Sequence, residues 1–263
     1  MGFRRTTYYR RKSGHRPEER DAALTAVLRQ HAARFVSWGF WKLFHYLRGQ
    51  NVIQDNHKRV YRLYRQAGLH LRQAPRRQRL YRKYRDLISP DQINEGWAMD
   101  FVSDWVVGPT RKQIRTINIV DQDSRRALWT EAHYSIRAKK LTDLLDQVIS
   151  YRGKPSYIRC DNGPEFMADK LKRWAANNHI ELRYIQPGKP SQNGLIERLN
   201  KTVRQECLNL TWFSDLESLN EELQNWSYVY NYLRPHKNLN YRTPDQYEIE
   251  QQKFYYSPVT TNG

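Results

Sequence analysis

Apolar and polar positions alternate in two different rhythms along this chain, and the rhythm changes near Asn94. From Asp21 to about Gly68 the spacing is helical: Ala23, Leu24, Val27 and Leu28 share one face, and Phe40, Leu43 and Leu47 share another. Three short helices fit this stretch. In the third, Asp55 is placed to cap the start, Val60 and Leu63 face inward, and Gly68 suits the left-handed residue beyond the end. After Asn94, period-2 segments predict strands near 96–103, 113–120 and 126–133. A helix near 138–151, a strand near 156–160, a helix near 165–177 and a strand near 181–185 follow. Two further helices are expected, from about Gln192 to Asn209 and from Asp215 to about Leu233. The second carries Leu216, Leu219, Leu223, Trp226, Val229 and Tyr230 at helical spacing, which reads as core. Three strands followed by alternation argue for an α/β domain behind a small helical one.

Charge divides the chain at the same place. The whole carries +18, but residues 1–90 hold 22 Lys and Arg against 5 Asp and Glu, whereas the remainder holds 23 against 22. A basic half of this kind seeks a polyanion, because each neutralised phosphate releases condensed counterions. Residues 1–20 are Arg-, Lys- and Tyr-rich with almost no aliphatic residues, so they are expected to form a flexible basic arm. The expected order is then a helix-turn-helix-like DNA-binding domain at 21–70, a basic linker at 71–93, the α/β domain at 94–234 and a C-terminal extension at 235–263. On the third helix Arg59, Arg62 and Arg65 recur every three residues, which suggests a row facing a DNA groove; a merely solvated charged face fits the spacing equally well.

No segment approaches the roughly 20 apolar residues needed to cross a bilayer, and MGFRRTTYYRRK is not followed by an apolar signal run. A cytoplasmic, nucleoid-associated protein with no membrane partner is expected. Cys160 and Cys207 form neither a disulfide framework nor a zinc site. His133, His179 and His236 lack a second ligand at regular spacing and read as structural.

Three carboxylates stand out by their setting. Asp100 in WAMDF interrupts a run that otherwise reads as a buried strand, where an unpaired charge is costly unless it ligates something. Asp161 in CDNGPEF closes the strand Tyr157–Cys160, and the Asn-Gly-Pro turn after it holds the carboxylate at the strand's C-terminal end. Glu197 lies in KPSQNGLIERLN. Three acids from three elements suit two magnesium ions, which prefer oxygen ligands and can flank a phosphorus undergoing displacement.

The phrases WAMDFVSD, RCDNGPEF, YIQPGKPSQNGLIERLNKTVRQECLN and YNYLRPHKNLNYRTPDQY closely resemble bacterial transposases of the insertion-sequence-3 family, of the second-reading-frame type. The resemblance covers roughly residues 94–250, and 35 residues lie between Asp161 and Glu197, as in that family. It implies a retroviral-integrase-like, RNase H-like core: a mixed five-stranded sheet with flanking helices. It also implies Asp100, Asp161 and Glu197 as catalytic metal ligands for two Mg2+ ions, with Mn2+ able to substitute. The implied activity is DNA cleavage followed by strand transfer by the 3'-hydroxyl. Arg204, seven residues after Glu197, matches the family's basic residue there; Lys201 and Asn193 are further candidates for DNA contact. Double-stranded DNA, at least a second copy of the chain, and an upstream reading-frame product are the implied partners. Cys160 stands where many relatives have Ser or Thr, and Asn240 where Gly is common; Asn tolerates the left-handed conformation well. Two other readings stay open: a non-catalytic DNA-binding regulator of the full transposase, and a stand-alone RNase H-like nuclease.

Overall fold

A computed structural model describes residues 17–71, 90, 92–186 and 190–256, and the chain divides into two compact units, 1–77 and 78–263. The basic arm expected at 1–20 lies outside the described residues up to position 16, and so does most of the linker expected at 71–93.

Among the described residues the first unit has three helices: α1 (Pro17–Arg34), α2 (Phe40–Gly49) and α3 (His57–Gln66). α1 is longer than the short helix expected and begins before Asp21, with Glu18 and Glu19 in its first turn, where the helix dipole favours negative charge. Leu24, Leu28, Leu43, Leu47, Val60 and Leu63 are buried together with Trp38 and Phe44, while Ala23 is exposed. The cap of α3 is Asn56, whose side chain accepts from Lys58 N, and not Asp55. Asp55 instead pairs with Arg59. Past the helix, Gly68 has φ +72°; its N–H donates to Arg65 O and that of Leu69 to Tyr64 O, so the last carbonyls of α3 are satisfied.

In the second unit, β1 (Gly96–Val107), β2 (Arg111–Asp121) and β3 (Ala127–His133) form an antiparallel meander, and β4 (Tyr157–Cys160) and β5 (Glu181–Tyr184) add parallel to β1. The sheet order is β3-β2-β1-β4-β5. α4 (Ala138–Arg152), α5 (Pro164–Met167) and α6 (Asp169–Asn178) cover one face, burying Trp97, Met99, Ile117, Ile119 and Ile158. The other face buries Ala98, Val102, Ile114 and Val120 under α7 (Gly194–Val203), a wide π turn at Arg204–Leu208, and α8 (Leu216–Tyr228). Odd positions of β1 therefore face one layer and even positions the other, as strand geometry requires. The helix expected at 165–177 is broken, because Ala168 is extended at φ −61°, ψ 135°.

Strand β3 is one of the two edges of the sheet, and an open edge invites pairing with another chain. Two asparagines cover it. Asn220 of α8 donates to Ala132 O and accepts from Ala132 N, and Asn231 does the same for Ala127, at 2.7–3.0 Å. Each amide imitates a backbone partner.

The segment after residue 235, taken above as a bare extension, contains α9 (Pro244–Tyr256). Thr243 and Gln246 cap it reciprocally, Thr243 N donating to Gln246 Oε1 and Gln246 N to Thr243 Oγ1. Glu248, nearly buried, binds both Arg126 and Arg152, which fastens α9 to the sheet unit. The Arg-Pro-His segment also packs inward: Arg234 pairs with Glu206, and His236 contacts Tyr230 O. Asn240 adopts the left-handed conformation at φ +53°. Among the described residues no helix is long and apolar enough to cross a membrane.

Candidate active site

Asp100 lies at an even position of β1, on the face covered by α7. The parallel register ends with Ala98 opposite Arg159, and carrying it two residues further sets Asp100 abreast of Asp161. β4 stops at Cys160, so Asp161 stands at its C-terminal end, where the Asn162–Gly163 turn begins. Gly163 N donates to Asp161 Oδ1 at 2.8 Å. A Cβ on Gly163 would sit 2.9 Å from that oxygen, so any larger residue would push the carboxylate aside.

Glu197 is exposed in the first turn of α7. Three residues on, and therefore on the same side of the helix, Asn200 donates from Nδ2 to Asp100 Oδ2 at 2.8 Å. The other oxygen of Asp100 accepts from Phe101 N at 2.8 Å. Burial pushes the Asp100 carboxyl up to about 6, and the charges of Asp161 and Glu197 add to the effect against the two hydrogen bonds. Asp100 thus feels the charge of both other acids. The three do not close on one another: among the described residues no three Asp, Glu, His or Cys side chains form a metal-sized cluster. Cys160, buried beside the acids, has its thiol pushed up to about 12 by burial and by Asp161 and Asp100, and Cys207 reaches about 12 largely through burial. Both are free thiols.

Beyond Asp100, β1 pairs with no strand on its β4 side among the described residues, and its edge is covered piecemeal. Phe101 N and Trp105 N donate to the side chains of Asp100 and Asp104, and Val107 N donates to Phe213 O. Ser103 O accepts from Arg204 Nη2 at 2.6 Å, and Arg204 Nη1 lies 3.4 Å from Asp104 Oδ2. Arg204 is thus brought to the same side of β1 as the acids, and Lys201 stands exposed on α7. Asn193, named above as a candidate for DNA contact, is buried at the end of a 3-10 turn, Pro190–Asn193, because the chain packs inward before α7 starts.

In the first unit the row of arginines is not a single face. Arg59 turns inward and binds Asp21 and Asp55, while Arg62 shares Asp21 and remains half exposed. Steps of three residues drift by about 60° each around a helix. The exposed row is Lys58, Tyr61, Arg62 and Arg65, spaced i, i+3, i+4, i+7.

Three residues that reach the site were not singled out from the sequence. Asn200 announces itself only as the third residue after Glu197, and Asn118 as the lone amide in the apolar run TINIV. Glu165, which follows Asp161 in DNGPEF, is clasped by Arg115 of β2. Burial pushes its pKa up, but the hydrogen bond and charge of Arg115, together with a backbone N–H, jointly outweigh that and hold the carboxyl below its ordinary range. The Arg115 guanidinium also lies 4.3 Å over the Phe101 ring, which stacks on Phe166.

A mixed sheet with one acid inside β1, a second just past the end of the neighbouring β4 and a glutamate on the overlying helix is the arrangement of the integrase-type class of cores. Comparison with known proteins agrees: residues 90–190 and 178–244 match two families described as Integrase core domain, and residues 18–79 match one described as HTH-like domain. A 31.7 kDa protein of insertion element IS407 from Burkholderia multivorans is 35% identical over 232 residues, 88% of this chain and 83% of that protein. The transposase InsD of insertion element IS2 from Escherichia coli is 24% identical over 225 residues, covering 80% of this chain and 73% of the relative. Among solved structures, an intasome of simian T-cell lymphotropic virus in complex with a PP2A regulatory subunit has a TM-score of 0.52 at 19% identity, over 78% of this chain and 69% of that one. This last likeness is one of fold. The chain belongs to the insertion-sequence-3 family of transposases, of the second-reading-frame type, with an RNase H-like integrase core. Its class of activity is that of a transposase or integrase-type polynucleotidyl transferase, and its role is transposition.

Proposed function

We propose that Asp100, Asp161 and Glu197 together hold two divalent cations, Mg2+ or Mn2+ in its place, and that the chain cleaves the 3' ends of its element and joins them to other DNA. The observation that carries this reading is the juxtaposition of Asp100 with Asp161 across β1 and β4, under the helix that bears Glu197. The donor set fits a hard cation: all-oxygen, anionic, and open enough for Mg2+, which keeps part of its water shell and takes one or two carboxylates plus substrate phosphate oxygens. When bound, the two ions supply an activated oxygen on one side of the phosphorus and charge stabilisation for the leaving oxygen on the other.

The chain's residues supply the rest. Phe101 N and Asn200 hold the two oxygens of Asp100, and Gly163 N holds one of Asp161, so the carboxylates are oriented before DNA arrives. Lys201 on the helix that carries Glu197, and Arg204 in the π turn that continues it, are suited to the phosphates flanking the cleaved bond. Lys58, Tyr61, Arg62 and Arg65 give the first unit an exposed basic face for duplex DNA; Arg59, committed to Asp21 and Asp55, serves the fold of that unit. Joining two DNA ends requires at least a second copy of the chain, and the upstream reading-frame product is a further partner.

The test is a strand-transfer assay with labelled element ends and purified chain. With Mg2+ or Mn2+, nicked and joined products are expected, and Asp100→Asn should yield neither. Binding that leaves every phosphodiester intact would instead support a regulator, and hydrolysis without joining a nuclease.

A further inference from the structure

Asn118 is fully buried on β2, between Ile117 and Ile119, and pairs directly opposite Asp100 in the antiparallel register. An amide placed in such a layer costs free energy unless its groups are hydrogen-bonded. Only half of this one is. Its Nδ2 donates to Asn200 Oδ1 at 2.8 Å, while its Oδ1 has no partner among the described residues. A leucine would fill the space without an orphaned oxygen, so what the asparagine contributes is a donor aimed at Asn200.

That donor decides which way Asn200 faces. The two ends of an amide differ little in shape, and a half-turn exchanges its oxygen with its nitrogen. With Asn118 donating to its oxygen, Asn200 presents Nδ2 to Asp100 Oδ2, at 2.8 Å. Turned the other way, Asn200 would set an amide oxygen against a carboxylate oxygen, which is repulsive. Asn118, Asn200 and Asp100 therefore form a chain of hydrogen bonds with one favourable polarity.

We propose that Asn118 is a positioning residue for the Asp100 carboxylate, acting through Asn200 to fix the orientation in which Asp100 meets a cation. The proposal rests on the reading of Asp100, Asp161 and Glu197 as the cation-binding set. Asn118 itself touches neither cation nor DNA.

The test uses the full chain, Mn2+ alone as the probe, and the variants Asn118→Leu, Asn200→Ala and their combination. In metal-free protein labelled with 15N-asparagine, the Asn200 side-chain amide should be protected from exchange in the wild type and lose that protection in Asn118→Leu. By calorimetry, Asn118→Leu should weaken Mn2+ binding about 3- to 10-fold, the scale of one neutral hydrogen bond. In the Asn200→Ala background the same change should have no effect beyond about twofold, because the intermediary is gone. Thermal unfolding should show Asn118→Leu at least as stable as the wild type, and Asn118→Ala serves if the leucine variant does not fold. An unchanged Asn200 amide, or an equal loss of Mn2+ affinity in both backgrounds, would overturn the proposal. A wild-type chain that binds no Mn2+ would sink the cation reading instead, and the amide signal would still decide whether Asn118 orients Asn200.

Discussion

Replacing Asp100 by Asn should stabilise the metal-free protein, and by an amount that depends on pH. In the folded chain the Asp100 carboxyl is raised from 3.8 to about 6, chiefly by burial, with Asp161 and Glu197 adding to it. At 1.36 kcal/mol per tenfold change, keeping this group ionised costs the fold about 3 kcal/mol. The native state therefore binds the proton more tightly than the unfolded chain does. The cost is fully present above about pH 6, shrinks as pH falls through that value, and is gone below the ordinary carboxylate range. Asn removes the charge but places an NH2 where Asn200 Nδ2 now donates, a conflict worth about 1 kcal/mol. A net gain of about 2 kcal/mol at pH 8 remains. Urea unfolding in EDTA between pH 5 and 8 would measure it, with the difference between the two proteins growing as pH rises. A constant difference, or a variant less stable than wild type at pH 8, would refute the reasoning. Added Mg2+ should stabilise the wild type alone, since a ligand of the native state shifts unfolding by mass action.

Other consequences follow from contacts further out. Glu248→Ala would leave Arg126 and Arg152 without their shared acid in a largely buried setting, and should cost about 3–5 kcal/mol in urea unfolding, with α9 becoming open to limited proteolysis. Asn220→Ala combined with Asn231→Ala would uncover the edge of β3 at Ala132 and Ala127; a loss of about 1–3 kcal/mol per site and concentration-dependent association on size exclusion are expected. Arg204→Ala should weaken binding to duplex DNA and reduce the salt slope of log K by about 0.9, one phosphate's worth, whereas Asp104→Asn, which releases Arg204, should strengthen binding.

The parts of this molecule legible in its sequence are those set by local pattern. Period-2 runs located β1, β2 and β3, and the turn signal of Asn162, Gly163 and Pro164 located the end of β4 and with it Asp161. A burial argument about one charged residue in a strand picked out Asp100. The misses have physical causes. α9 was overlooked although Thr243, Pro244 and Gln246 spell a reciprocal cap with proline at the first helical position. Asp55 and Asn56 are both good caps, and only the fold decides which is free, since Arg59 claims Asp55. The arginine row splits because a strict three-residue step spirals around a helix, turning Arg59 toward Asp21 and Asp55 while Arg62 and Arg65 stay exposed. Asn118 and Asn200 meet across 82 residues of sequence, and no local rule could join them.

The most direct measurement is single-turnover cleavage of a labelled element end in Mg2+ by Asp100→Asn, Asp161→Asn, Glu197→Gln and their pairwise combinations. If the three side chains act as one cation-holding unit, each single change should lower the rate by about 10³-fold or more and each pair should cost little further. A single variant that keeps its rate within tenfold of wild type, or losses that multiply in the pairs, would contradict it.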